Sequence, residues 1–122
     1  MLRRSGNMNL DGENILNRYR RGIENIHDFM PSAVHEYNQF TGKAFEEGDI
    51  PKPQKHLMAL AIAVNDGDES SIAYHMDQCV EHACTDQQIH ETMMVAAAYG
   101  GGSAMSHGVT MGIELLKQFR NR

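Results

Sequence analysis

The sequence predicts an all-α domain of about six helices, and three observations support that prediction. Apolar residues recur at intervals of three and four along nearly the whole chain, as they do on the buried face of an amphipathic helix. No segment offers a convincing strand pattern of alternating apolar and polar residues. The chain has 122 residues, of which 41% are hydrophobic and 22% charged, so it can build one hydrophobic core but not two.

The first two helices are bounded by proline and glycine. Residues 1–9 are predicted to form a frayed lead, and the helix after them has one apolar stripe made of Leu16, Tyr19, Ile23 and Ile26. Pro31 suits the first turn of the second helix, which ends at Gly48 and Asp49. Ile50–Pro53 is an extended connection, because a residue that precedes proline avoids the α region.

The remaining helices follow from a central apolar run and from capping residues. Leu57–Val64 is continuously apolar and rich in Ala and Met, which favours a central helix covered on all sides. The next helix runs from about Glu69 to Ala83, and Thr85–Gln88 has the pattern of a capping box that begins another. Gly100–Gly102 interrupts the periodicity. The last helix is predicted to bury one face formed by Met105, Val109, Gly112 and Leu116.

Composition and charge disfavour several classes of function. The formal net charge is −5, which disfavours a nucleic-acid partner. No apolar run approaches the roughly 20 residues of a membrane helix, so no membrane association is expected. Residues 1–12 contain no apolar stretch typical of a secretory signal, which predicts a cytoplasmic protein.

Two cysteines, Cys79 and Cys84, also fit a reducing compartment. If both lie on one helix, their spacing separates them by about 140° around its axis. Their Cα atoms would then lie beyond the reach of a disulfide, so we expect two isolated thiols.

A polar arc on the fourth helix is the first candidate site. Ser71 and His75 are four residues apart and can touch. Asp68 lies at the helix start, where the dipole favours an anion. Cys79 and His82 complete an arc of about 80°. The same pattern is typical of the solvated flank of an amphipathic helix, so both interpretations stay open.

Several motifs occur in order between Lys55 and Gly108, and the segment Pro31–Gly48 fits the same pattern more loosely. The motifs are Leu57–Val64, Gly67, Ile72–His75, Thr85–Ile89, Ala96–Ala104 and His107. In order and spacing they resemble the carboxymuconolactone decarboxylase family, which includes the alkylhydroperoxidase D-like proteins. The resemblance covers about residues 31–116, with residues 1–30 as a lead and first helix and residues 117–122 as a basic tail. It implies an alkylhydroperoxidase D-like helical bundle that assembles into trimers or hexamers.

The resemblance also implies where reactive residues lie. Redox members of the family carry a Cys-x-x-Cys at the start of one helix, a His four residues later and a proton-relaying Glu on the preceding helix. These positions hold Asp68, Ser71, His75 and His56 here. The His matches, whereas both thiols and the Glu are replaced. Hydroperoxide reduction of the peroxiredoxin type is therefore disfavoured, because it needs a thiolate and a resolving thiol.

Acid–base chemistry on a small organic molecule is the favoured function, of the decarboxylase or lactone type. His75 is the leading candidate for general acid or base, because an unperturbed imidazole titrates near pH 6.5. Glu69 is a candidate to assist it, and Ser71, Asp68 and His56 complete the candidate catalytic set.

The expected substrate depends on the available cations. The resemblance implies that the family's lactone decarboxylases hold an Arg where this chain has Asp68. No Arg occurs between Arg21 and Arg120, and Lys52 and Lys55 are the nearest basic residues. An uncharged or cationic substrate is therefore expected.

Two alternatives remain open. By the family geometry, His56, Asp68 and His75 should converge, and such a set could bind a divalent metal, supported by Glu69 or His107. No other cofactor is expected. The loss of every redox residue also fits a non-catalytic oligomeric scaffold or ligand-binding protein. In either case a homo-oligomer is expected, because a small domain needs a neighbour to cover a wholly apolar central helix.

Overall fold

The computed structural model describes residues 10–122. Its elements are α1 (Gly12–Phe29), α2 (Pro31–Phe45), α3 (Lys52–Asp66), α4 (Glu69–Glu81), α5 (Asp86–Gly100), α6 (Gly102–His107), a π-helical segment (Gly108–Gly112) and α7 (Ile113–Arg120). The last three form one continuous rod, so these residues hold six helical rods and no strand. The all-α prediction is confirmed, whereas the predicted lead at residues 1–9 lies outside the described residues. Among the helices of residues 10–122, none combines the length and apolar character needed to cross a bilayer.

Local sequence signals decide where several helices begin and end. Thr85 and Gln88 form the predicted capping box of α5. The Thr85 hydroxyl accepts from the Gln88 N–H at 3.0 Å, and the Gln88 side chain accepts from the Thr85 N–H at 2.8 Å. α3 ends at Gly67, whose φ of 70° lies in the left-handed region that favours glycine.

α3 is the centre of packing and contacts α4, α5 and α6. Leu60 and Val64 on its inner face are fully buried. Met58 and Ile62 on its other face are 54% and 63% exposed. The prediction that this helix is covered on all sides is therefore wrong for a single chain, because nothing else in residues 10–122 shields that face.

The last rod buries only part of the predicted face. Gly112 and Leu116 are buried as predicted, whereas Met105 and Val109 are exposed. Ala104 and Gly108 are buried although neither was predicted to be. A Cβ placed on Gly112 would collide with the sulfur of a methionine on α5. The small residues therefore face inward because they allow the rod to approach α5 closely.

α4 ends at Glu81, and its end brings the two cysteines together. Ala83 has a left-handed φ of 63°. The Ala83 N–H donates to the Val80 carbonyl at 3.2 Å, and the Cys84 N–H donates to the Cys79 carbonyl at 2.9 Å. These two bonds define a Schellman motif, which folds Cys84 back over the last turn of α4. The condition that both cysteines lie on one helix is not met, because Cys84 lies beyond the helix end, and both thiols are free.

Arg122 ties α1 and α4 to the end of α7. Its guanidinium forms ion pairs with Asp77, with Glu13 at 3.0 Å and with Glu81 at 3.2 Å. It also lies 4.7 Å from the ring centroid of Phe119. Asp77 is 8% exposed, so this contact neutralises a buried carboxylate.

Candidate functional site

A cavity of about 640 Å³ lies between the α1–α2 hairpin and the adjoining parts of α3 and α4. Its lining combines aromatic rings with charged and hydroxyl groups, which come from residues including Tyr19, Arg20, Glu24, Tyr37, Phe45, Lys52, His56, Ser71, Tyr74 and His75. Such a concave space with a few convergent polar groups is typical of a small-molecule site.

Two histidines face each other in the wall of this cavity. His56 comes from α3 and His75 from α4, and these two helices pack against one another. Their Nδ1 atoms are 3.1 Å apart, so one ring donates a hydrogen bond that the other accepts. The fold therefore brings together two of the candidate residues from the sequence.

Burial keeps both imidazoles uncharged. The pKa of His56 is lowered from 6.5 to about 4, mainly by burial and to a smaller extent by nearby His75, His82 and Lys52. Burial likewise lowers the pKa of His75 to about 4. At neutral pH the pair is therefore neutral and can form an N–H···N hydrogen bond without charge repulsion.

The buried end of His56 indicates where the protons lie. Its Nε2 atom is buried and has no hydrogen-bond partner. An orphaned buried N–H is rarer in proteins than an under-satisfied acceptor. We therefore assign the proton of His56 to Nδ1, from which it is donated to Nδ1 of His75. His75 then carries its own proton on Nε2, which is the N–H available to a ligand.

Aromatic rings hold the two imidazoles in place. Phe45 stacks on His56 with centroids 4.7 Å apart and on His75 at 5.3 Å. His82 stacks on His56 at 5.6 Å, and Tyr74 meets His75 edge-on at 4.9 Å. His82 was predicted to lie in the polar arc of the fourth helix or on its solvated flank, but neither His82 nor Phe45 was predicted to contact the pair. Helical periodicity places a residue on a face but does not show which ring lies opposite.

Asp68 and Ser71 bond to each other rather than to the histidines. Asp68 is the N-cap of α4, and its carboxylate accepts from the Ser71 N–H at 3.4 Å and from the Ser71 hydroxyl at 2.8 Å. Ser71 and His75 line the large cavity, and all three residues border a neighbouring cavity of about 160 Å³. Glu69 is exposed and lines neither cavity.

The predicted metal set of His56, Asp68 and His75 is not assembled. In residues 10–122, no three or more His, Cys, Asp or Glu side chains are arranged to hold a metal ion. The physical reason is that the Asp68 carboxylate is engaged in capping α4. His107 lies elsewhere, with its Nδ1 3.1 Å from the Val64 carbonyl oxygen.

The wall of the cavity also includes a positively charged side chain that was not predicted from the sequence. Arg20 on α1 lines the cavity together with Lys52, and within residues 10–122 Glu24 is the only carboxylate in the lining. α1 precedes the segment that carries the family resemblance, so the lack of Arg after Arg21 was not informative. The expectation of an uncharged or cationic substrate loses its basis, because the cavity offers two positive charges to one negative charge.

Comparison with known proteins identifies similar chains along most of this sequence. The model of the carboxymuconolactone decarboxylase family matches residues 31–112. An uncharacterized protein of Cupriavidus necator is 26% identical over 95 residues, which are 78% of this chain and 84% of that protein. The 4-carboxymuconolactone decarboxylase of Acinetobacter baylyi is 23% identical over 98 residues, covering 80% of this chain and 73% of that protein.

Two crystal structures share the fold. A carboxymuconolactone decarboxylase family protein from Legionella pneumophila, in its apo form, has a TM-score of 0.85 and 22% identity, covering 88% of this chain and 96% of that one. A family protein from Thermotoga maritima has a TM-score of 0.77 and 20% identity, covering 87% of this chain and 90% of that one. At these identities the likeness establishes the helical fold.

Proposed function

The chain belongs to the carboxymuconolactone decarboxylase family, and from that premise we propose that it performs His-based acid–base chemistry on a small carboxylated molecule. The observation that carries the proposal is the neutral pair of His56 and His75, with Nδ1 atoms 3.1 Å apart beside a cavity of about 640 Å³. A relative named 4-carboxymuconolactone decarboxylase supports a reaction of the decarboxylase type.

His75 has the proton placement that such a reaction needs. In a decarboxylation the bond to the carboxylate carbon breaks and CO2 leaves. The electron pair passes to a conjugated carbonyl, whose oxygen becomes negative. The Nε2–H of His75 donates a hydrogen bond to that oxygen and acts as the general acid: its proton shifts towards the oxygen as the charge develops and returns to His75 afterwards. A proton from solvent then forms the new carbon–hydrogen bond.

His56 acts as a positioning residue for His75. Its Nδ1–H is donated to His75 and so fixes the neighbouring tautomer, as the orienting partner of a catalytic imidazole does in other enzymes. Phe45 stacks on both rings and limits their rotation. The pair therefore presents one N–H to the cavity in a fixed direction.

Arg20 and Lys52 supply the attraction for a carboxylate. Both line the cavity that His75 faces, and guanidinium groups pair with carboxylates in a two-pronged geometry. They bring an anionic substrate to the imidazole pair and orient it there. The thiols of Cys79 and Cys84 do not line the cavity, which argues against thiol-dependent peroxide reduction at this site.

Turnover of 4-carboxymuconolactone, followed as CO2 release, tests the proposal. We expect His75→Gln to lower kcat by about 10²–10⁴-fold, the usual contribution of an acid–base residue. Arg20→Gln should act mainly by raising KM. His35→Gln is the matched control, because His35 is an exposed histidine on α2 outside the cavity.

Two results would contradict this function. Equal turnover in wild type and His75→Gln would remove the histidine from the chemistry. Binding of the lactone without any CO2 release would favour the non-catalytic ligand-binding alternative instead.

We further propose that the chain forms a homo-oligomer, a trimer or hexamer, through its exposed apolar surface. Ile62 on α3 is 63% exposed, and Val95 and Tyr99 on α5 are 66% and 87% exposed. Apolar surface of this kind is typical of subunit contacts. Light scattering after size-exclusion chromatography should give a trimer or hexamer that Ile62→Glu dissociates. A monomeric wild type would refute the assembly.

A further inference from the structure

Cys79 and Cys84 form a second site of potential chemistry, away from the cavity. The Schellman motif joins their backbones through the Cys84 N–H and the Cys79 carbonyl, 2.9 Å apart. Both side chains are buried, at 0% and 3% exposure, and both thiols are free. Each thiol also shifts the pKa of the other. The adjacent backbones favour the short Cα–Cα separation that a disulfide requires.

The two thiols differ in their surroundings. Burial raises the pKa of both, and much more strongly for Cys79. The neighbouring Cys79 thiol and the Arg120 guanidinium oppose that shift at Cys84, whereas the Cys84 thiol raises the pKa of Cys79 further. The Arg120 guanidinium also donates a hydrogen bond to the Cys84 carbonyl at 2.5 Å. Cys84 also borders the exposed residue Ala83. Of the two, Cys84 therefore forms the thiolate more readily, so we assign it the attack on an oxidant and Cys79 the resolving step.

We propose that Cys79 and Cys84 are a redox-active pair that a small-molecule disulfide converts to an intramolecular disulfide in the folded protein. The Cys84 thiolate attacks one sulfur of the oxidant, forming a mixed disulfide and releasing one small thiol. The Cys79 thiolate then attacks the Cys84 sulfur and releases the second small thiol. The protein loses two electrons and two protons, and the small disulfide gains both.

The pair is linked to the cavity through its neighbours. His82 lies in the turn between the two cysteines and stacks on His56 at 5.6 Å. The Cys84 thiol donates a weak hydrogen bond to the carbonyl of Pro53, in the first turn of α3, at 3.8 Å. Oxidation removes that S–H donor and constrains the turn that carries His82. The NMR signals of the His56 imidazole should therefore shift when the disulfide forms.

Oxidised glutathione, added to the folded protein, is the probe. After denaturation and alkylation, intact mass should show the loss of two hydrogen atoms, no glutathione adduct and no alkylated cysteine. Cys79→Ser should instead retain a mixed glutathione disulfide, and Cys84→Ser should keep a free thiol. The oxidised wild type should have a higher Tm than the reduced protein, reversed by dithiothreitol.

Three outcomes would overturn the proposal. One is retention of both thiols while circular dichroism remains native. A second is oxidation only at urea concentrations that unfold the chain. The third is covalent dimerisation on a non-reducing gel. An unchanged His56 signal in the oxidised protein would refute the link to the cavity. None of these readouts depends on lactone turnover, so this inference and the proposed function can fail separately.

Discussion

Acidification should destabilise the protein through His56, and the size of the effect follows from its burial. His56 has a pKa of about 4 in the folded chain and 6.5 as its ordinary value. Between these values the unfolded state binds more protons, so stability is complete above about pH 6.5 and falls as the pH drops towards 4. Between about pH 7 and pH 5 this single group should cost about 2 kcal/mol of unfolding free energy. His75 has its pKa lowered to about the same value, so its protonation destabilises the folded chain over the same pH range.

Urea unfolding at both pH values, with and without His56→Gln, measures this effect. The variant lowers stability at every pH, but the informative quantity is the difference between the two pH values. That difference should be smaller in the variant by about 2 kcal/mol. His35→Gln on exposed α2 is the matched control and should keep the wild-type pH dependence. A His56→Gln protein that loses stability as steeply as wild type would refute the neutral buried pair.

Three further predictions test the fold by substitution, two of them with a control variant. Arg122→Ala should lower the unfolding free energy, measured by urea unfolding, by about 2 kcal/mol, because it leaves the buried Asp77 carboxylate without its cation. Asp77→Asn should lower it by less. Equal losses in the two variants would contradict the role of Arg122 as the partner of a buried charge. Gly67→Ala should destabilise the protein by more than about 1 kcal/mol, because the φ of this residue is left-handed and a Cβ would collide with an imidazole. Gly22→Ala, in open space on α1, should instead raise Tm. A change of Tm in the same direction for both variants would contradict these contacts. Thr85→Ala should cost about 1 kcal/mol by removing the α5 cap, measured as a lower Tm, and an unchanged Tm would show that the capping box adds nothing.

The parts of the fold that were predictable depend on residues close together in the chain. The capping box at Thr85 and the left-handed stop at Gly67 each act within one helical turn, so the sequence identifies them directly. The apolar period predicted six helical rods for the same reason. The buried face of the last rod was predicted only in part: Gly112 was included and Gly108 was missed, although both pack against α5 by virtue of their small size. Hydropathy carries no signal of that kind of contact.

By itself, the sequence determined the helices, the single core and the family to which the chain belongs. The resemblance placed His75 at the family's His position and His56 at the position of its Glu. Only the tertiary structure decided what these residues meet. It placed the two imidazoles 3.1 Å apart and turned the Asp68 carboxylate away to cap its own helix. It also brought Arg20 from α1 into the cavity. Helix periodicity is a property of neighbouring residues, whereas the meeting of side chains from different helices depends on how whole helices pack.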